Sequence, residues 1–207
     1  MGEQSPTFLP AEFAGFLGAE MASWTKREGA QEYEPDFEAL RLSQSCWEDM
    51  RFPATRTLRG SNSKPDFDYT NLGYLFPNGD TAEKIYISDQ MPHSWTQEGE
   101  IRPHVHYVQT GETLPTFKLS YRIYNNGAAV PSFDTIATTT AVFPYVSGSI
   151  LQILLFPSIS MADFGTSAWF DMILYREDTD VTGDVLLKGF DFHYPQDAFG
   201  SRQEYTK

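Results

Sequence analysis

The chain is short of cysteine, of basic charge and of long apolar runs, and each shortage excludes something. A single cysteine, Cys46, excludes an intrachain disulfide and any CxxC metal or redox motif. Its expected place is the core, as a small hydrophobe, in a protein that folds in a reducing cytoplasm. Lys and Arg number 15 against 28 Asp and Glu, a net charge of −13. Such a surface is repelled by phosphate backbones and anionic bilayers, so neither a nucleic acid nor a membrane is an expected partner. The most apolar stretch, SILQILLFP at 149–157, is far too short to span a bilayer. The N-terminus, MGEQSPTFLPAEF, has neither the basic start nor the apolar run of a secretory signal. Hydrolase and nucleotide signatures (GxSxG, HExxH, the P-loop) do not occur.

What remains is globular. Of 207 residues, 41% are hydrophobic and 15% aromatic, enough for one sizeable core without staples. Two patterns divide the chain. Phe13, Phe16, Leu17, Met21 and Trp24 recur at helical spacing, predicting an amphipathic helix over 11–25 behind Pro10. Its apolar stripe makes these five residues the candidate partner-binding set. An acidic, turn-rich stretch, KREGAQEYEPDFE, follows and reads as a linker. From Trp47 onward the period becomes two. Phe117, Leu119, Tyr121 and Ile123 alternate with polar residues, and NNG at 125–127 is a turn signal. Further short strands are predicted at 53–59, 66–76, 82–89, 101–109, 134–143, 149–156, 166–177 and 185–194. The expectation is a mainly β chain, an antiparallel β-sandwich or jelly roll over 47–207, carrying a short N-terminal helical arm over 1–46.

Three of the four histidines fall within QMPHSWTQEGEIRPHVHYVQ, residues 90–109. On a strand, Arg102, His104, His106 and Val108 share one face, and Ile101, Pro103, Val105 and Tyr107 the other. Two histidines on one face can grip a metal ion, completed by His93 or by His193. A cupin-like centre would also want a glutamate close behind, and Glu112 stands too far along; no second cupin motif follows. The expectation is therefore hydrogen-bonded imidazoles, no resident metal, no cofactor and no catalytic residue. EDTDVTGD at 177–184 imitates the start of a calcium loop, but its twelfth position is Gly189 and strands flank it, so a solvated hairpin loop is expected. Trp95, Tyr107 and Trp169 could form a sugar-binding platform, although a sandwich core uses the same residue types.

CWEDMRFP (46–53), QMPHSW (90–95), RPHVHY (102–107), LSYRIYNNG (119–127) and KGFDFHYPQDAFGSRQEYTK (188–207), in this order, resemble a family of uncharacterised bacteriophage virion structural proteins. The resemblance runs from about Trp47 to the C-terminus. It implies a non-enzymatic component of a phage particle, assembled in the host cytoplasm as a capsid decoration, collar piece or tail appendage. Its partners would be other virion proteins and its own copies, as a trimer or ring. It brings no catalytic residues. A glycan-binding module of a phage appendage is the first alternative, and a cupin-like metalloprotein using His104 and His106 the second.

Overall fold

The computed structural model describes residues 19–21, 24–26, 33–35, 40–61, 63–78, 83–97, 99–109, 114–142, 150–177 and 183–198, with the side chains of those between 46 and 196. Two antiparallel sheets enclose the core. The larger orders its strands β1 (Ala19–Met21), β4 (Leu40–Pro53), β16 (Val185–Ala198), β9 (Glu100–Gln109), β13 (Gln152–Leu155) and β12 (Thr140–Ala141). In that same sheet β6 (Asp66–Asp68) pairs with β7 (Gly73–Phe76), β7 pairs with the beginning of β16, and β14 (Ile159–Ser160) pairs with β9. The smaller sheet runs β11 (Asp134–Ala137), β10 (Phe117–Tyr124), β15 (Trp169–Arg176), β8 (Lys84–Gln90), β5 (Leu58–Arg59). A separate pair joins β2 (Trp24–Lys26) to β3 (Tyr33–Pro35). The only helical element among the described residues is a 3-10 turn at Ala54–Arg56. No helix among them is long and apolar enough to cross a membrane.

The alternation read from the sequence is the alternation of burial. Phe117, Leu119 and Ile123 of β10 are buried, and β10 turns at Asn125–Gly127, where Gly127 has φ +80 and Ala128 N–H donates to the Asn125 carbonyl at 3.1 Å. Ile101, Val105 and Tyr107 of β9 point into the core with 0% exposure. The sheets meet through aromatic rings: Phe52 of β4 against Phe170 of β15 at 6.0 Å, and Phe76 of β7 against Phe117 of β10 at 5.8 Å. Such edge-on pairs add to the burial of their apolar area. The sandwich expectation therefore holds.

The N-terminal expectation fares differently. Ala19–Met21, within the stretch predicted as helix, and Trp24–Lys26, which overlaps its end, are strands. The Phe and Met spacing satisfies a helical wheel, but Gly15 and Gly18 weaken a lone short helix and strand pairing is open to the same residues. Met21 and Trp24 thus lie in β1 and β2, whereas Phe13, Phe16 and Leu17 lie outside the described residues. The expected boundary at 46/47 falls inside β4, whose ladder to β16 crosses it with Gln196↔Cys46 and Pro195↔Trp47. Cys46 is exposed rather than buried. The last strand also continues past the expected Tyr194 to Ala198. Most of the calcium-like stretch (178–182) lies outside the described residues.

One close approach governs how β7 meets β16. A Cβ on Gly73 would stand 2.7 Å from the Leu187 carbonyl oxygen, a backbone atom that cannot step aside. Gly73→Ala is expected to cost about 1–3 kcal/mol by overpacking, read as a lower urea midpoint with an unchanged slope. A midpoint equal to wild type would show that β7 does not sit this tightly on β16.

Candidate functional site

The side chains with chemistry gather on the outward face of the large sheet, and a fault in β16 puts them there. Val185 and Leu187 are buried. The register against β9 then slips between Leu187 and Gly189. Beyond the slip Phe190, Phe192 and Tyr194 are the buried residues. A bulge adds one residue and exchanges the faces of everything after it. Lys188 is the extra residue, and Asp191 and His193 consequently face outward.

Their neighbours follow from the ladders. Asp191 sits between His104 on β9 and Arg51 on β4; His193 sits between Arg102 and Asp49. His106 lies opposite Gly189, which has no side chain, and beside Ile153 of β13. A cavity of about 490 Å³ opens over this face. Its walls include Arg51 and Lys188, its apolar side Leu151 and Ile153, and its floor Gly189 and Asp191.

Distances are short. His104 Nε2 lies 2.8 Å and His106 Nε2 3.2 Å from Asp191 Oδ1. His106 Nε2 is also 3.2 Å from Oδ2. His193 Nε2 lies 2.8 Å from Asp49 Oδ1, and its ring centroid is 4.6 Å from that of His104. On the other side of His104, Nδ1 is 3.3 Å from the Arg102 carbonyl. The Arg102 guanidinium stacks on Trp47 at 4.1 Å and its Nη2 reaches Glu100 at 2.7 Å. Burial acts against ionisation of Asp191, yet the adjacent His104 and His106 outweigh it and hold the carboxyl down at about 2. Burial likewise acts against protonation of His104, and the Asp191 carboxylate overcomes it, so this imidazole titrates above its ordinary 6.5. The cluster is thus an ion-pair network on a sheet face, and its donor atoms are nitrogen and carboxylate oxygen within reach of one another.

Of the histidines singled out in the sequence, His104 and His106 are brought together. His93 is not in this cluster; its Nε2 meets the Ser167 hydroxyl. His193, the other option, does join the cluster. Sequence reasoning missed Asp49, Arg51 and Asp191. The alternation in GFDFHY carries a signal for Asp191, but pairing it with His104 requires the strand order. The proposed aromatic platform is not assembled. Trp95 and Tyr107 are fully buried, and Trp169 alone of the three reaches the surface, its Nε1–H donating to Ser88 at 3.0 Å.

No family model matches the chain. No curated protein matches it either. Among solved structures it is similar to the isomalto-dextranase of Arthrobacter globiformis T6 complexed with panose (TM-score 0.42, 14% identity, 70% of this chain and 23% of that one). It is also similar to the C-terminal CBM6 of LamC, a marine laminarinase from Zobellia galactanivorans (TM-score 0.39, 10% identity, 70% and 98%). A third likeness is to the enzymatically active domain of tailspike protein 4 of bacteriophage CBA120 (TM-score 0.33, 7% identity, 72% and 19%). These are likenesses of a β fold, and they transfer neither a ligand nor a reaction to this chain.

Proposed function

We propose that this chain is a non-enzymatic structural protein of a bacteriophage particle that docks to other virion proteins, and to its own copies, through the segment ahead of β4. The observation that carries this reading is β4 itself. It is one strand of 14 residues. It starts paired with β1 through Leu40, Arg41 and Leu42 and ends beside the core at Phe52, paired with β16 along the way. A load on the N-terminal segment thereby reaches the central strand of the domain along one strand, whose pairing with β16 runs from Pro53 to Cys46 and, after a register break, meets it again at Arg41. Three of the segments that resemble phage virion proteins, CWEDMRFP, RPHVHY and KGFDFHY, are the adjacent strands β4, β9 and β16. This adjacency supports the reading by making the resemblance one contiguous piece of the molecule. Large side chains in the segment, Phe13, Phe16, Leu17, Met21 and Trp24, each contribute roughly 1.5–3 kcal/mol when buried against a partner.

The test compares the full chain with a form lacking residues 1–39 and with Phe16→Asp plus Leu17→Asp. Both variants are expected to keep the melting temperature of the domain within a few degrees and to lose incorporation into particles. Undiminished incorporation would refute docking through this segment. A large drop in melting temperature would instead assign the segment to the domain's own core.

A further inference from the structure

We propose that His104, His106 and Asp191 form a binding site for one divalent transition-metal ion, clamping β9 to β16. The sequence alone favoured hydrogen-bonded imidazoles here; the side-chain geometry points the other way. It does not depend on where the chain sits in a particle.

Four observations converge. The donor atoms of the three residues all lie within 4.8 Å of one another. Donors held about 2.0–2.2 Å from an ion stand roughly 3–4 Å apart, and the two nitrogen–oxygen separations are 2.8 and 3.2 Å. Next, the Asp191 side chain is only 10% exposed, and the Nε2 atoms of His104 and His106 both converge on its Oδ1 at 2.8 and 3.2 Å. Two nitrogens and a carboxylate oxygen therefore face one common point, as the donors around a bound cation do. Third, Nδ1 of His104 faces the Arg102 carbonyl at 3.3 Å. With its proton there, Nε2 presents a lone pair to Asp191. This backbone partner behind a ligating imidazole is the arrangement that orients metal-bound histidines. Fourth, His106 and Asp191 line the cavity, so an ion has access from solvent and room for water on its open side. Two imidazoles and one carboxylate suit zinc and its neighbours in the transition series better than calcium or magnesium, which prefer oxygen.

His193 and Asp49 stand next to the site as a second, already matched pair at 2.8 Å. They are assigned here to positioning His104, against whose ring His193 packs.

Full-length protein, stripped with a chelator and then dialysed against zinc chloride, is expected to retain one zinc per chain by elemental analysis and to melt at a higher temperature with zinc than without. Cobalt(II) should give visible ligand-field bands. His106→Ala and Asp191→Asn are expected to weaken zinc binding by about 100-fold or more, beyond the effect of losing a supporting partner. Far-UV circular dichroism in chelator verifies that each variant is folded. His93→Ala, remote from the cluster, should bind as wild type does. His193→Ala should weaken binding by only about tenfold. Wild-type protein that holds well under one zinc, or His106→Ala and Asp191→Asn variants that hold zinc as tightly as wild type, would overturn the site. Loss confined to His193→Ala would place the ion with Asp49 and equally overturn it.

Discussion

Phe192→Ala is expected to lower stability by about 3–5 kcal/mol. At this chain length that is a fall of roughly 6–20 °C in melting temperature. Phe192 is fully buried, 5.3 Å from Phe170 across the sandwich and 6.0 Å from Phe52 on β4. One ring therefore joins three strands and both sheets. The same substitution has a second consequence. Phe192 lies between Asp191 and His193 on β16, and a strand's two faces share one backbone. A cavity beneath β16 removes the support that fixes both outward side chains, so zinc affinity should fall even at temperatures where the variant remains folded. Equilibrium urea unfolding and zinc competition on the same sample separate the two effects. A stability loss under about 1 kcal/mol would mean that the inner face of β16 is not packed as described.

The sandwich was legible because burial on a sheet has a period of two, and β9, β10 and β15 write that period plainly: FKLSYRIY needs no partner to be read. Strand β4 was not legible as one element. Its first half precedes the change in periodicity, and an exposed cysteine and tryptophan give it no inward face to mark. The helical reading of 11–25 failed over Ala19–Met21 and Trp24–Lys26 for a related reason: spacing of apolar residues states which positions would share a helix face, not that a helix forms. The site was half legible. HVH places two imidazoles on one face wherever that strand lies. Its third member required two facts that alternation does not contain, that β16 is the neighbour of β9 and that a bulge at Lys188 turns Asp191 outward. Without the bulge, the parity of Val185 and Leu187 would carry Asp191 into the core.

That outward carboxylate is a second position where a single substitution should be costly. In chelator-treated protein, Asp191→Ala is expected to destabilise by about 3–5 kcal/mol, the cost of removing one partner from a buried ion pair. His104, 4% exposed, would keep its burial and lose its counter-charge. Replacing both residues, His104→Leu with Asp191→Leu, should recover most of the loss, because no desolvated charge is left. The pH dependence has a definite shape. Asp191 is held down at about 2, below its ordinary 3.8, so its contribution is present above 3.8 and is lost as pH falls through 2. His104 is raised above 6.5, so its contribution is present below 6.5 and is lost as pH rises through the higher folded value. The gap between wild type and Asp191→Ala should therefore be widest between about pH 4 and 6.5 and should narrow on both sides. Urea midpoints across pH 3–9 measure it. A gap that stays constant over that range would show that Asp191 stabilises by shape alone. A gap that closes on adding zinc to the wild type would have the wrong sign for an ion held by these residues, since an ion bound only by the wild type must widen it.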